Sequence, residues 1–274
     1  MISFPGAKIN IGLNVLKKRA DGYHDIETVF YPIPLCDILE IADTGKPFSF
    51  TATGFKIPGS TDDNLVVIAY RLLKNDFRVK PVEIHLHKLI PPGSGLGGGS
   101  SDGAFALKML NDLFQLNLSE KKLLEYALEL GSDCPFFIKN RPVFASGRGN
   151  IFRNVPLDLS NYFIAVVIPE ISVSTTEAFR NIAPAKIRQS LFTLIRKPVY
   201  QWKNNIRNDF EKCVFNKYPV LSEIKEQLYS SGAIFAAMSG SGSALYGIFR
   251  KKVNLKNKFS YCSTSFFSPA DFAD

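Results

Sequence analysis

The chain has 274 residues, 46% hydrophobic and 21% charged, which is ordinary globular usage and enough apolar material for one large or two modest cores. Its formal charge of +8 suits polyphosphate ligands, acidic surfaces or nucleic acid, but the basic residues form only short runs, Lys17-Lys18-Arg19 and Arg250-Lys251-Lys252, which read first as solvated surface. No apolar run approaches the ~20 residues that span a bilayer, no charged leader precedes an apolar segment, and Cys36, Cys134, Cys213 and Cys262 are scattered without a CxxC pair. Transmembrane, secreted, disulfide-framed and zinc-ribbon classes are set aside, and a reduced, cytoplasmic compartment is expected.

In chain order, residues 7–16 alternate weakly and predict a strand. Residues 29–41 predict strand interrupted at Pro32 and Pro34. Asp62, Asp63 and Asn64 offer capping side chains to a helix over 65–73. Val82-Glu83-Ile84-His85-Leu86-His87 alternates cleanly, as a half-buried strand does. A glycine-rich run follows, then a helix over 104–114, and a further helix that Ser119 caps and Gly131 ends. Beyond a soft boundary near residues 150–156 come a buried strand at 162–168, helices at 208–218 and 221–230, and two strands, 233–238 and 244–249, around Ser239-Gly240-Ser241-Gly242-Ser243. Strand pairs mixed with helices favour an α+β fold over regular βαβ repetition.

The glycine run reads Pro91-Pro92-Gly93-Ser94-Gly95-Leu96-Gly97-Gly98-Gly99-Ser100-Ser101-Asp102-Gly103. Its six glycines let backbone N–H groups approach an anion closely, and the helix that follows offers its N-terminus to negative charge. Ser100, Ser101 and Asp102 are expected to cap that helix, or the serines to donate to phosphate oxygens. A flexible linker would not run straight from an alternating strand into a helix. The P-loop is excluded because no Gly-Lys-Ser/Thr closes the run. Gly93, Gly95 and Gly98 imitate the dinucleotide fingerprint, but the region where its acidic partner should end a second strand is predicted helical. Anion binding is what the run alone supports.

This run resembles the ATP loop of the GHMP kinases, the superfamily of galactokinase, homoserine kinase, mevalonate kinase and phosphomevalonate kinase. Three further segments resemble one branch of it: Ala7-Lys8-Ile9-Asn10-Ile11-Gly12-Leu13, Arg19-Ala20-Asp21-Gly22-Tyr23-His24, and Leu130-Gly131-Ser132-Asp133-Cys134-Pro135-Phe136-Phe137. The turn at 239–243 resembles that branch's C-terminal Thr-Gly-Ser-Gly loop. The likeness spans nearly the whole chain. It implies a two-domain α+β fold, with a ribosomal-protein-like ATP-binding domain over 1–152 and a ferredoxin-like domain over 153–274 that contributes to the acceptor cleft. The implied reaction is ATP-dependent phosphorylation of the 2-hydroxyl of a cytidine-diphospho-methylerythritol, in non-mevalonate (MEP) isoprenoid precursor synthesis.

Phosphoryl transfer needs alignment, charge neutralisation and an oriented acceptor. The implied acceptor is a hindered, weakly acidic tertiary alcohol, so a carboxylate that takes its proton is physically sensible. Asp133 is expected in that role; read alone, it is equally an ordinary turn residue. Lys8, which interrupts an apolar strand, is implied to lie beside it and to supply the cation that a P-loop would draw from its own lysine. Tyr23, His24 and Phe179 are expected to hold the cytosine, since base–aromatic stacking contributes about 1–3 kcal/mol per base. Asn10, Tyr31 and Thr175 are lesser acceptor candidates. For ATP the candidates are Pro91, Pro92, Gly93, Ser94, Gly95, Leu96, Gly97, Gly98, Gly99, Ser100 and Ser101, with Asn64 and Leu65 on the adenine side and Lys88 flanking the nucleotide. Mg2+ is expected with ATP, held mainly by phosphates and water, without a named protein ligand. His85 and His87 alternate on a strand without a third ligand at motif spacing and read as ordinary strand residues.

Two departures stand out. Asp102 replaces a frequent Asn and puts an acid near the phosphates, where it is expected to cap the helix. Ser239 stands where Thr is usual and keeps the hydroxyl. Competing readings are a GHMP kinase on another alcohol, such as homoserine or mevalonate, and a basic nucleic-acid-binding module, for which no motif appears. Neither nucleic acid nor membrane is an expected partner.

Overall fold

The computed structural model describes residues 1–180, 182, 189–255, 258–259 and 262–272, which fall into two units interleaved along the chain. The first comprises Met1–Ala7, Leu35–Pro92 and Gly97–Arg141; the second comprises Lys8–Pro34, Gly93–Leu96 and Pro142–Asp274.

In the first unit a four-stranded sheet runs β1-β4-β6-β5, built from β1 (Ile2–Ser3), β4 (Ile38–Ala42), β5 (Ser49–Gly54) and β6 (Glu83–Lys88). β4 is antiparallel to β1 and β6, whereas β5 lies parallel to β6. The period-2 pattern of β6 buries Ile84, Leu86 and Lys88 and leaves Glu83, His85 and His87 on the half-exposed face. There Thr53 Oγ1 lies 3.0 Å from His85 Nε2 and 2.8 Å from His87 Nδ1, so the two histidines share a threonine. Four helices pack on one another: α1 (Leu65–Asp76), α2 (Gly98–Leu113), α3 (Glu120–Leu130) and α4 (Cys134–Lys139). The caps read from the sequence are formed by Asn64, whose side chain accepts from Val66 N, and by Ser119, whose hydroxyl accepts from Lys122 N.

One boundary differs. α2 begins at Gly98 rather than at residue 104, so half of the glycine run is helix. Its N-cap is Gly97 in the left-handed conformation (φ 75°), and Ser100, Ser101 and Asp102 lie inside the first turns instead of capping them. Glycine's poor helix propensity hid this start. The tertiary reason is visible at Gly103, where a Cβ would come within 2.9 Å of Leu65 Cβ: the helix needs glycine there to pack on α1.

The second unit holds two sheets. One runs β2-β3-β7-β8, from β2 (Gly6–Lys18), β3 (His24–Cys36), β7 (Val143–Ser146) and β8 (Ile151–Asn154). Pro32 and Pro34 lie past Thr28 to Phe30, the residues that β3 pairs with β7, and so do not break that ladder. The other sheet runs β10-β11-β9-β12 and is antiparallel throughout, from β9 (Phe163–Pro169), β10 (Phe235–Met238), β11 (Leu245–Phe249) and β12 (Cys262–Phe267). α5 (Thr175–Arg180), α6 (Leu191–Leu194), α7 (Phe210–Lys217) and α8 (Pro219–Ser230) accompany them. α8 covers β10 and β11, and its Leu221, Ile224 and Leu228 enter one core with Phe210, Val167, Leu245 and Phe249. Each such side chain contributes about 1.5–3 kcal/mol by burial. The architecture is α+β. Among the described residues no helix is long and apolar enough to cross a membrane.

Candidate active site

The first unit carries α2, the helix that the glycine run enters. The first N–H groups of an α-helix have no intrahelical partner and form its positive end; in α2 these belong to the glycine run, and the ladder opens with Ser101 N donating to Gly97 O at 2.9 Å. A Cβ built on Gly99 would meet nothing within 4 Å, so open space lies in front of this turn. Ser100 hydrogen-bonds the Cys134 sulfur, which ties the first turn of α2 to the turn carrying Asp133. Burial pushes the Cys134 thiol up to about 12, so it stays neutral. Asp133 is the half-buried N-cap of α4; its carbonyl accepts from Phe136 N, and Pro135 occupies the first turn of the helix. Ser101 is fully buried, and its hydroxyl has no hydrogen-bond partner among the described residues.

The nucleotide candidates outside the run have structural contacts of their own. The Asn64 side-chain oxygen caps α1, and Leu65 lies against the Gly103 position of α2. Lys88 is buried, and its Nζ donates to Asp102 Oδ2 at 2.7 Å and to Asp37 Oδ2. The other Asp37 oxygen accepts from Leu89 N at 2.6 Å and Ile90 N at 2.8 Å. Asp102 is therefore an ion-pair partner, and its expected capping role is corrected.

The second unit carries the remaining candidates. Lys8 N donates to Leu96 O at 2.9 Å, and its Nζ donates to Gly95 O at 3.1 Å and to Asn10 Oδ1 at 2.5 Å. Asn10 Nδ2 donates to Thr28 Oγ1 at 2.9 Å, and that hydroxyl donates to Gly12 O at 2.7 Å. The chain of bonds fixes which way the Lys8 ammonium points. Ser239 Oγ donates to Gly95 O at 2.9 Å, and Ala244 N donates to Ser94 O at 3.0 Å, so residues 93–96 are seated on the 239–243 turn. Gly95 has φ +80°, and a Cβ there would sit 2.2 Å from Ser239 O; only glycine fits. Asn208 Nδ2 holds the turn by donating to Met238 O at 2.8 Å and Gly240 O at 2.7 Å.

Among the acceptor candidates, His24 stacks on Phe179 with ring centroids 5.1 Å apart, and Phe179 meets Phe210 edge-on at 4.8 Å. Burial, then the Lys18 charge, holds His24 below the usual imidazole range, which favours the neutral ring. The exposed Tyr23 ring carries the Arg148 guanidinium 3.6 Å from its centroid. Asp21 shapes this loop by accepting from Arg19 Nε and Tyr23 N. Thr175 Oγ1 lies 2.9 Å from Ser241 Oγ, joining α5 to the small-residue turn. Tyr31 is buried, with its hydroxyl accepting from Leu159 N at 3.2 Å. The structure thus brings Lys8, Asn10, Gly95 and Ser239 together, pairs His24 with Phe179, and buries Tyr31 and Lys88. Sequence reasoning missed Asp37, Thr28, Arg148 and Asn208. Only Asp37, a lone acid within the apolar stretch 35–39, left a signal that could have been read.

Among the described residues no three His, Cys, Asp or Glu side chains gather as metal ligands.

The family model of the GHMP kinases N terminal domain matches residues 64–141, and that of the GHMP kinases C terminal matches residues 187–266. The chain belongs to the GHMP kinases. It is similar to a 4-diphosphocytidyl-2-C-methyl-D-erythritol kinase of Bacteroides fragilis, 56% identical over 252 residues that cover 91% of this chain and 92% of that one. It is likewise similar to the kinase of the same name from Parabacteroides distasonis, 50% identical over 264 residues, 96% of this chain and 97% of the relative. A solved 4-(cytidine 5'-diphospho)-2C-methyl-D-erythritol kinase matches with a TM-score of 0.80 at 29% identity over 97% of this chain and 98% of its own. The mevalonate kinase of Methanococcus jannaschii, at 16% identity and a TM-score of 0.71, shares the fold.

Proposed function

We propose that this chain transfers the γ-phosphoryl group of ATP to the 2-hydroxyl of 4-(cytidine 5'-diphospho)-2-C-methyl-D-erythritol, giving the 2-phosphate and ADP for isoprenoid precursor synthesis. The observation that carries the proposal is the glycine run: an open helix N-terminus joined through Ser100 and Cys134 to the turn that bears Asp133. The names of the relatives supply the acceptor.

In this reading the N–H groups at the start of α2 and the glycine run hold the triphosphate, with Asn64 and Leu65 on the adenine side. The acceptor oxygen attacks Pγ, its proton passes to the Asp133 carboxylate, and the bond from Pγ to the bridging oxygen breaks to release ADP. Lys8, aimed by Asn10 and Gly95 O, stabilises charge on the transferring group. Mg2+ enters as the companion of ATP, held by phosphates and water. Tyr23, His24 and Phe179 receive the cytosine; the neutral His24 ring offers both a donor and an acceptor to the base edge. Asn10 and Thr175 contact the polyol side, while Tyr31 supports from within. An ATP-binding domain over 1–152 and a domain over 153–274 that contributes to the acceptor cleft remain the proposed division of labour. A cytoplasmic location is proposed from the four free cysteines.

The test is ADP release by the purified chain with a panel of alcohols. Turnover is expected with the cytidine diphosphate acceptor, and kcat/KM should be at least about a hundredfold lower for homoserine and mevalonate. Preference for either of those, or salt-sensitive RNA binding without ATP turnover, would overturn the reading.

A further inference from the structure

Three buried charges lie where the chain enters and leaves the glycine run. Lys88 ends β6, Asp37 precedes β4, and Asp102 is the fifth residue of α2; none is more than 3% exposed. Asp37 grips the entering backbone through Leu89 N and Ile90 N, and Lys88 reaches across to Asp102 in the leaving helix. We propose that Asp37, Lys88 and Asp102 are positioning residues that fix both ends of the glycine run for the nucleotide phosphates, and that the ionisation of Asp102 sets how tightly those phosphates are held. The proposal rests on the reading of this run as the ATP loop.

The charge count explains the second half. Two carboxylates share one ammonium, so a fully ionised triad leaves one net negative charge inside the unit, under a helix N-terminus meant for phosphate. The charged groups acting on Asp102 are Lys88 and Asp37. On the other helices packed on α2, Arg71–Asp62, Lys122–Glu125 and Lys139–Glu120 are exposed pairs, and the half-buried Asp133 at the start of α4 is a further acid beside the first turn of α2. Burial, with the Asp37 charge adding to it and Lys88 opposing, moves the Asp102 carboxyl up to about 7. Lys88 reaches only Oδ2, and the other Asp102 oxygen, Oδ1, has no hydrogen-bond partner among the described residues, so the charged form is only half satisfied. Protonated, Asp102 leaves a neutral Lys88–Asp37 pair and no opposing charge near the phosphates. Ionised, it repels them. ATP binding therefore draws a proton onto Asp102, and the residue that replaces an expected Asn makes nucleotide affinity depend on pH.

The experiment compares wild type, Asp102→Asn, Asp102→Ala and Gly99→Leu, with kcat and both KM values measured from about pH 6 to pH 8.5 at saturating Mg2+. ATP's own phosphate titrates near pH 6 in every variant, so the readout is the ratio of KM for ATP between wild type and Asp102→Asn. That ratio should rise by about threefold or more across the range, with the effect on KM for ATP exceeding that on kcat or acceptor KM. Asp102→Ala, which loses the tie to Lys88, should raise KM for ATP at every pH, and Asn should rescue it. Gly99→Leu reports on the loop itself, since it fills the open space before α2 and should weaken ATP. If Gly99→Leu weakens ATP and the ratio stays flat, the triad's role is overturned while the loop reading stands. An unchanged KM for ATP in Gly99→Leu removes the loop reading and the triad with it. Should Asp102→Ala fail to fold, the Asn profile decides alone.

Discussion

Two buried lysines precede the glycine run in sequence and are held by different groups. Lys88 lies between two carboxylates, and its charge is shared with Asp37 and Asp102. Lys8, also 3% exposed, donates to an amide oxygen and a backbone carbonyl, Asn10 Oδ1 and Gly95 O, which orient its ammonium. A lysine inside a protein is thus not diagnostic by itself; the groups around it, and a measurement of turnover, have to separate a scaffold cation from a catalytic one.

That contrast can be broken most forcefully on the chemical side. Asp133→Asn and Lys8→Ala should each cut kcat by about a hundredfold to ten-thousandfold, with ATP still bound in an equilibrium titration. Near-normal turnover in either variant would show that the aimed cation and its acid are not the catalytic pair. On the scaffold side, Lys88→Ala abandons two buried carboxylates. It should destabilise the chain by about 3–5 kcal/mol, read as a fall in the denaturation midpoint. A midpoint within error of wild type would mean that the triad bears no structural weight.

A smaller effect is expected at the aromatic residues. Phe179→Ala should raise acceptor KM by about tenfold, the worth of one base stack, and leave KM for ATP alone. Equal loss for both substrates would place Phe179 in general folding, through its edge contact with Phe210. The smallest effect is the pH slope of stability. The folded Asp102 carboxyl titrates near 7, raised from 3.8, so the folded chain keeps a proton that the unfolded chain releases. Its contribution is fully present below about pH 4 and lost as pH rises through about 7. Asp102→Asn should remove this component, so wild type should lose more Tm than the variant between about pH 5 and pH 8. Parallel curves would contradict it.

The same two lysines show what a sequence discloses. Lys8 drew attention in the sequence because it sits in a motif beside Asn10 and interrupts apolar residues, and the structure buries it there. The strands near 7–16, 83–88, 162–168 and 244–249 and the caps at Asn64 and Ser119 were legible because each follows from local periodicity or one side chain, whereas β1, β5, β7, β8 and β12 carried no such pattern. The triad was not: Asp37 lies 51 residues and Asp102 14 residues from Lys88, and local pattern passed over Asp37 and made Asp102 a cap. The early start of α2 was hidden for a related reason, since glycines that disfavour a helix locally are required by its packing at Gly103. Likewise Arg148 over Tyr23 joins positions 125 residues apart with no shared motif.

The most direct test of the account is to give the purified chain ATP, Mg2+ and 4-(cytidine 5'-diphospho)-2-C-methyl-D-erythritol and to follow the product by phosphorus NMR, with Asp133→Asn alongside. The account predicts one new phosphomonoester on the 2-oxygen, formed in step with ADP, and its near absence in the variant. A phosphorylated product on another oxygen, ADP release without a phosphomonoester, or an equally active Asp133→Asn chain would contradict it.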